Sequence, residues 1–571
     1  MHHRISFDRF AKYACAALTA VYLVSGAPLH AAEKIKGKPG TVQIDSAGIT
    51  YFALERDTLT TIAKRFTPTP NNWEALGKLN KISNDRTIPI GSGILIPADL
   101  LLEEPSQATV IALAGQVNET NLKGSTSALI LGSVVFEGSQ IKTEKNSFVT
   151  FELPDNSRVS VPSNSQVSLS KLRMTQFVKS PRTLIKLVQG KVESKVSPLN
   201  NNKGRFEVSS PLAIAGVRGT HFRVGVDEDK VANEVLEGGV AVGNKEKPQA
   251  LVLPAGQGNI VNKAGVGKAI TLLPAPSLTA GFQLQERPIL QFAVQALPKA
   301  VAYHAQISRD AQNQDVIAEA NDKDLRFRFE GLDDGNYFIR VTAIDENGLE
   351  GMPSTQAFRL KARPEPPFLL SPKHKVRADS VSFNWTQAGE VKAYRLQVAS
   401  DAEFKQIVLD QNNIAGVEAN TDKLSVGNYY WRVASIIEKN GQPDQGPFSL
   451  PQAFRLLAPQ AMNEVVDLGQ NQMEFGWPAE PGQTFLVQIA QDPEFKKIYL
   501  SRNLDQAKLS IARPEPGIYY IRVQATDPDR FIGNFSKPQK FEILLRWTTG
   551  SGDPLESIGG MVQPQKPATN K

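Results

Sequence analysis

The chain has 571 residues, of which 41% are hydrophobic and 21% charged, and its formal net charge is +6. This length exceeds what a single hydrophobic core supports, so we expect several domains. Residues 1–32 alone carry +2, which leaves a charge of about +4 on the rest of the chain, too dilute to indicate a nucleic-acid partner.

The first 32 residues have the pattern of an export signal. Basic residues in "MHHRISFDRFAK" precede the apolar run "ACAALTAVYLVSGA", and "PLHAA" then offers small residues for cleavage near Ala31 or Ala32. The apolar run is short for a membrane span, and an uncleaved anchor is the alternative. The only cysteine, Cys15, lies in this segment, so the exported chain would have no disulfide, thiol nucleophile or thiolate metal site. No later apolar stretch is long enough to predict a transmembrane segment.

Residues 33–48 read as a linker, and residues 49–98 as a small β-α-α-β module. A strand over Ile49–Leu54 is predicted to lead into a helix at Asp57-Thr58, since both side chains suit a helix start. A second helix and a closing strand follow. The positions that carry this pattern are Leu59, Ile62, Ala63 and Phe66, then Trp73, Leu76 and Leu79, then Ile94, Leu95 and Ile96 before Pro97.

This module resembles the LysM family. The matching motifs are Asp57-Thr58-Leu59, Ile62-Ala63-Lys64-Arg65-Phe66, Leu76 with Asn80, and Ile94-Leu95-Ile96-Pro97. The resemblance implies a shallow groove between two loops that binds N-acetylglucosamine-containing chains such as peptidoglycan. The implied glycan-binding residues are Glu55, Arg56, Asp57, Thr58, Leu59, Ile88, Pro89, Ile90 and Gly91. For Asp57 and Leu59 the alternative is purely structural, as helix N-cap and core residue. Arg56 departs from the family, which usually has glycine there.

Residues 108–270 contain short alternating strands separated by Gly, Asn, Asp and Ser, which predicts a β-roll or barrel. This segment resembles the FecR domain, whose four motifs occur in order at Gly138-Ser139-Gln140-Ile141-Lys142-Thr143, Leu153-Pro154-Asp155-Asn156-Ser157, Leu187-Val188-Gln189-Gly190-Lys191-Val192 and Val217-Arg218-Gly219-Thr220-His221-Phe222-Arg223-Val224. Sensor-type FecR proteins add a cytoplasmic anti-sigma region and a membrane helix, which we do not find, so the resemblance implies the periplasmic fold alone.

The last of these motifs could be mistaken for a glycine-rich ligand loop. A strand rather than a helix follows it, so we expect Gly216 and Gly219 to form a bulge or corner with positive φ. Phe222, Val224 and Val226 should then face the core, while His221 and Arg223 should face solvent. Arg218, at the corner, is a candidate for contact with a partner.

From about residue 274 the chain repeats with a period near 90 residues. The segments "AYHAQISRD", "AYRLQVASDAEF" and "TFLVQIAQDPEF" are equivalent, as are "DDGNYFIRVTA", "SVGNYYWRVAS" and "EPGIYYIRVQA". Short strands and one large aromatic per repeat predict three β-sandwiches, over residues 274–362, 364–458 and 459–546. The second and third resemble fibronectin type III modules, whereas the first lacks the Trp and the Asp-x-Glu-Phe turn. Residues 547–571 should be a disordered tail.

Nothing in the sequence indicates catalysis. The histidines beyond the signal, His221, His304 and His374, fall in different modules without metal-ligand spacing, and no cofactor motif occurs. We therefore expect a mainly β, multidomain, non-catalytic protein, exported to the periplasm or cell envelope. It would bind peptidoglycan through the LysM-like module and use the other modules as a scaffold or to contact an unidentified envelope protein. The alternative is a signalling component in which the FecR-like segment relays an envelope state to a membrane partner.

Overall fold

The computed structural model describes residues 36–45, 48–83, 88–198, 204–217, 219–244, 247–463, 465–467, 472–544, 556–557 and 560–561. The predicted signal peptide, Arg218 and most of the predicted tail lie outside the described residues. The chain divides into two compact units, Met1–Leu272 with Asn347–Leu349, and Leu273–Glu346 with Glu350–Lys571. Strands dominate both units, which confirms the mainly β fold class.

The first module is a three-stranded antiparallel sheet packed on two helices. Its elements are β1 Val42–Asp45, β2 Gly48–Phe52, α1 Leu59–Phe66, α2 Trp73–Leu79 and β3 Gly93–Pro97, with β2 central in the sheet. Its core consists of Ile49, Tyr51, Leu59, Ile62, Ala63, Phe66, Leu76, Ile94, Ile96 and Leu101. The predicted helices and closing strand are confirmed. Strand β1 falls inside the segment predicted as a linker, because four residues are too few for alternation to stand out.

In the part of the chain that the structure describes, nineteen strands follow; they belong to one sheet and share a single core. They are β4 Glu103–Pro105, β5 Gln107–Ala114, β6 Val117–Thr120, β7 Thr126–Ala128, β8 Val134–Phe136, β9 Gln140–Thr143, β10 Phe148–Glu152, β11 Arg158–Val161, β12 Gln166–Thr175, β13 Pro181–Lys195, β14 Arg205–Ser209, β15 Ala213–Val217, β16 His221–Asp227, β17 Lys230–Glu237, β18 Gly239–Asn244, β19 Lys247–Pro254, β20 Gln257–Asn262, β21 Gly265–Val266 and β22 Ile270–Thr271. The pairings are antiparallel except that of β13 with β14.

The first module joins this sheet without a free linker. Strand β4 pairs with β12, and the Leu102 N–H donates to the Phe66 carbonyl at 2.8 Å. The rings of Phe66 and Phe177 lie 5.8 Å apart. Arg182 Nη2, buried on β13, donates to Asp99 Oδ1 at 2.8 Å. Backbone pairing, ring contact and an ion pair therefore connect the module to the sheet.

In the segment "AIAGVRGTHFRV", residues 213–217 form β15 and residues 221–224 begin β16. Gly219 has φ +72, and a Cβ there would lie 2.8 Å from Pro198 Cα, so this position requires glycine. Gly216 lies within β15 without a positive φ, so the expected corner role is wrong for Gly216. Phe222 and Val224 are buried as predicted, and the register shifts between His221 and Phe222 as in a bulge.

The second unit contains three consecutive two-sheet modules. Its strands are β23 Leu284–Gln285, β24 Leu290–Ala293, β25 Ala300–Ser308, β26 Val316–Asp322, β27 Arg326–Phe329, β28 Gly335–Asp345, β29 Ser354–Leu360, β30 Leu369–Ser371, β31 His374–Arg377, β32 Val381–Trp385, β33 Ala393–Ala399, β34 Ile407–Ile414, β35 Glu418–Thr421, β36 Gly427–Lys439, β37 Gln442–Phe448, β38 Gln452–Leu457, β39 Val466–Asp467, β40 Gln472–Gly476, β41 Thr484–Ala490, β42 Ile498–Leu504, β43 Lys508–Ala512, β44 Gly517–Thr526, β45 Gln539–Ile543, β46 Glu556–Ser557 and β47 Gly560–Met561. In each module a larger sheet faces a sheet of two or three strands.

The three repeats share a tyrosine hydrogen bond near the start of their longest strand. Tyr337, Tyr429 and Tyr519 each donate a hydroxyl hydrogen bond to the backbone carbonyl four residues earlier, at 2.9, 2.8 and 3.0 Å. Each ring is buried. This arrangement is the tyrosine corner of β-sandwiches, and it agrees with the predicted equivalence of the three tyrosines.

The second and third modules share a further contact. The Arg432 guanidinium lies between the rings of Phe404 and Phe448, at 3.9 and 4.2 Å. In the third module Arg522 lies 4.0 Å from the rings of both Phe495 and Phe535. The "DAEF" and "DPEF" turns supply one ring of each pair, Phe404 and Phe495.

Candidate functional site

The loop between β2 and α1 exposes three consecutive side chains, Leu54, Glu55 and Arg56. Arg56 has φ 66, in the left-handed region that glycine adopts at little cost. Its side chain is almost fully exposed and lies 4.0 Å from that of Glu55. The positive φ supplies a physical reason for glycine at this position, and the arginine places a cation at the loop surface.

Asp57 is buried and links three elements. Its Oδ2 accepts hydrogen bonds from the Tyr51 hydroxyl at 2.7 Å and the Leu54 N–H at 2.8 Å. Arg65 on α1 approaches Asp57 Oδ1 at 3.4 Å and donates to the Tyr51 hydroxyl at 2.5 Å. Burial, followed by the hydrogen bond to Asp57, raises the pKa of Tyr51 above its ordinary value. The N-cap of α1 is Thr58, in a capping box with Thr61, so the expectation that Asp57 is the cap is wrong.

The second loop, residues 88–91, lies beside the first. The Gly91 N–H donates to the Ala53 carbonyl at 2.8 Å, and the Ala53 N–H donates to the Ser92 carbonyl at 3.0 Å. Pro89 and Ile90 are exposed, and Ile88 is half-buried. These backbone bonds hold the two predicted loops edge to edge, so the structure brings the nine predicted residues into one region.

Only part of the predicted set faces solvent. Glu55, Arg56, Pro89 and Ile90 are exposed and Thr58 is half-buried, whereas Asp57, Leu59 and Gly91 are buried. Leu59 belongs to the hydrophobic core. The exposed residues can touch a ligand, and the buried ones hold the loops in shape.

Two further features at this site were missed from the sequence. Leu54, 42% exposed, adds an apolar side chain next to Glu55. The Gly37 N–H donates to the Gly91 carbonyl at 3.0 Å, so the segment before β1 braces the second loop. The predicted strand included Leu54 as an ordinary strand residue, and Gly37 fell in the predicted linker, so neither carried a signal.

Replacing Arg56 with glycine should raise the stability of this module. The change removes a left-handed non-glycine residue without removing a buried contact, and we expect a gain of about 0.5–1 kcal/mol. Urea unfolding, monitored through the hydrogen exchange of the α1 amides, would measure the change in the free energy of unfolding. Replacing Glu55 with glycine is the control and should not stabilise the module. A loss of stability in the Arg56→Gly variant would contradict the backbone strain assigned to Arg56.

Two further candidate residues, His221 and Arg223, have structural partners. His221 Nε2 lies 2.7 Å from Glu193 Oε1. Arg223 is 5% exposed and its Nε lies 2.8 Å from Glu234 Oε2, so the expectation that Arg223 faces solvent is wrong. Strands β13 and β17 flank β16 and supply the two carboxylates, which is why a polar position can be buried here.

His304 is buried on β25 between two carboxylates. Its Nε2 lies 3.1 Å from Glu319 Oε2, and its Nδ1 lies 3.3 Å from Glu350 Oε2, which also accepts from Thr342 Oγ1 at 3.2 Å. Burial by itself lowers the pKa of His304, but Glu350 and Glu319 outweigh burial and raise it to about 9. The imidazole is therefore protonated near neutral pH.

Among the described residues, no group of three or more His, Cys, Asp or Glu side chains is arranged to hold a metal ion. Neither helix of the described segments has the length and apolar character needed to cross a bilayer.

Comparisons with known families support both sequence resemblances. Residues 55–97 match the family described as LysM domain, and residues 139–241 match the family described as FecR protein. The chain therefore carries a LysM domain and a FecR domain, which are binding or regulatory modules rather than catalytic ones and are typical of exported, envelope-associated proteins. The LysM domain indicates peptidoglycan binding. A search of curated proteins gave no match.

Several solved structures align with parts of the chain at low overall similarity. A putative anti-sigma factor from Parabacteroides distasonis is 20% identical over 23% of this chain and 57% of its own, with a TM-score of 0.19. The chicken CNTN1 FN1–FN3 domains are 14% identical over 47% of this chain and 97% of theirs, with a TM-score of 0.18. The Clostridium thermocellum CbhA fibronectin(III)-like modules are 14% identical over 32% and 94%, with a TM-score of 0.16. This chain thus spans little more than half of the anti-sigma structure.

Proposed function

We propose that this chain, with its LysM and FecR domains, is an exported, non-catalytic envelope protein that binds peptidoglycan. The glycan would lie across residues 53–58 and 88–91. The FecR domain and the three sandwiches would serve as a scaffold or as contact surfaces for an envelope protein. The module bounds given above from the sequence form part of this proposal.

The observation that carries the proposal is the pair of loops joined through Ala53 and Gly91. Exposed loop backbone can pair with the acetamido N–H and C=O of an N-acetyl sugar, while its methyl group packs on an apolar side chain. Ile90 and Leu54 are the exposed apolar side chains of these loops. The arrangement therefore offers both kinds of contact that an N-acetylated glycan needs.

The proposed roles follow from exposure. Ile90, Pro89 and Leu54 would contact the sugar, and Arg56 and Glu55 would sit at the rim of the groove. Asp57 would act indirectly, because its bonds to Tyr51 and to the Leu54 N–H fix the first loop.

Peptidoglycan binding should depend on Ile90. The Ile90→Asp variant puts a charge in place of this apolar contact. Its affinity for purified peptidoglycan should fall by about tenfold, or 1.4 kcal/mol. Co-sedimentation of the chain from residue 33 onward measures this affinity. Ile44→Asp is the matched control, since Ile44 is 56% and Ile90 55% exposed. Ile44 pairs with Ile49, at the end of β2 away from the groove loops, so this variant should bind normally.

Two results would contradict this assignment. If the wild-type chain stays in the supernatant while a LysM protein of known binding sediments, the tethering function is wrong. If Ile90→Asp and Ile44→Asp sediment alike, the chain binds elsewhere and the groove is misplaced. Loss of sedimentation on deleting residues 43–100 would place binding in the first module.

The FecR match also favours a second function, in which this domain relays an envelope state to a membrane partner. The match covers residues 139–241. A change in transcript levels on deleting the gene for this chain would support signalling, and an unchanged transcript profile under envelope stress would remove it.

A further inference from the structure

Five large apolar side chains of the FecR region are exposed within fifteen residues. We call Leu122, Ile130, Leu131, Val134 and Phe136 the apolar strip, and their exposures are 80%, 70%, 68%, 38% and 54%. Together they present an apolar area on the order of 500 Å², near the upper end of the largest patches on monomeric proteins, about 300–600 Å². Patches of this size are often functional.

The strip follows one strand, β8, from end to end. Val134 and Phe136 are the outward-facing residues of β8, while Val135 between them is buried. Ile130 and Leu131 lie in the turn before β8, where the Ser133 N–H donates to the Ile130 carbonyl at 3.0 Å. The Ser139 N–H donates to the Phe136 carbonyl at 3.1 Å after β8, and a Cβ on Gly138 would lie 2.3 Å from Leu122 Cδ2. Leu122 therefore lies at the end of the apolar strip opposite to Ile130 and Leu131.

Strand β8 is also an edge of its sheet. Among the described residues its only strand register is with β5, through Gln107, Ala108 and Thr109. Proteins usually protect such an edge with charge, proline or a bulge. Residues 124–136 contain no charged residue and no proline. The edge is therefore open to an additional strand.

We propose that the apolar strip is the dimer interface of this protein, with β8 pairing antiparallel to β8 of a second copy. A two-fold axis at Val135 sets Val134 opposite Phe136 of the second copy. The same axis brings Ile130 and Leu131 against Leu122 of the second copy, so all five side chains of each chain are covered. An isologous contact needs this kind of self-complementarity, which an uncharged strip provides without like-charge repulsion.

The available area fits a dimer. A stable interface takes about 800 Å² from each partner. The strip supplies over half of this as apolar surface, and the exposed strand β7, shortly before β8 in the chain, can add polar surface. The paired edges would continue one sheet across both copies.

The mass of the chain from residue 33 onward, measured by light scattering or sedimentation, tests the interface. We expect a dimer at about 100 µM and a monomer for Phe136→Lys, because the lysine would be buried against a second apolar edge. Leu450→Lys changes a residue of the second sandwich with 75% exposure and should stay dimeric. A monomeric wild type at this concentration would overturn the proposal, as would a folded Phe136→Lys variant that remains a dimer.

Cysteine cross-linking tests the register and does not depend on the lysine variant folding. The chain from residue 33 onward has no cysteine, so single cysteines report cleanly. Directly opposite positions have Cβ atoms about 4.5–5.5 Å apart, and diagonal ones about 7–8 Å. A mixture of Val134→Cys and Phe136→Cys chains should therefore form a mixed disulfide faster than either variant alone. Equal rates in the three samples, or no disulfide, would overturn the pairing.

Discussion

Replacing Arg223 with alanine should lower the stability of the sheet formed by β4–β22, which we call the FecR sheet, by about 3–5 kcal/mol, because the buried Glu234 carboxylate would lose its contact with the Arg223 guanidinium. Both side chains are 6% exposed, and Arg223 Nε lies 2.8 Å from Glu234 Oε2. Urea unfolding of the chain, with pulsed hydrogen exchange of peptides from β16 as the readout, measures this loss.

The double variant Arg223→Met/Glu234→Leu is the matched control. It removes both charges and keeps apolar volume, so it should recover most of the stability lost in Arg223→Ala. Arg158→Ala is a second control, since Arg158 pairs with Glu152 at the half-exposed surface and should cost less than about 1 kcal/mol. An Arg223→Ala variant as stable as Arg158→Ala would contradict the buried pair.

Raising the pH from 6 to 9.5 should destabilise the first sandwich by about 3 kcal/mol through His304, whose pKa is raised to about 9 in the folded chain. The sign follows from the direction of the shift. A raised pKa contributes stability that is fully present below the unfolded value near 6.5 and is lost as the pH rises through about 9. The carboxylates of Glu319 and Glu350 would then face a neutral imidazole in place of a charged one.

His304→Gln removes this titration and serves as the comparison. The variant will be less stable at pH 6, but its stability should change less between pH 6 and 9.5 than that of the wild type. Pulsed exchange of β25 peptides at each urea concentration gives the required local free energies. Parallel pH dependences in the two proteins would show that His304 is not charged in the folded state.

The sequence predicts the strands and the repeated aromatics well, because alternation and spacing are local signals. Trp385 and Trp477 are buried, and Tyr429, Trp431 and Val433 share the core face as the alternation requires. The burial of Arg223 was not predicted. A charged residue on the polar side of a strand normally faces solvent, and the Glu234 carboxylate on the neighbouring strand β17 makes the burial of Arg223 possible.

The sequence also predicts the candidate groove only in part. The motif resemblance locates both loops, but it does not separate residues that touch a ligand from those that support the loop. Asp57 suits a helix cap from its position, yet Tyr51 and Arg65 draw its carboxylate inward. Its role depends on contacts between elements, which the residue types around Thr58 do not encode.

The junction between the LysM domain and the FecR sheet has a mechanical consequence. Because β4 pairs with β12 directly after the domain and Arg182 holds Asp99, the domain has no swivel between residues 98 and 103. A chain attached to the cell wall through its groove would hold the FecR sheet at a set angle to the glycan strands. Tension on the protein would load the short β4–β12 ladder and the Phe66–Phe177 contact before it reached the rest of the sheet.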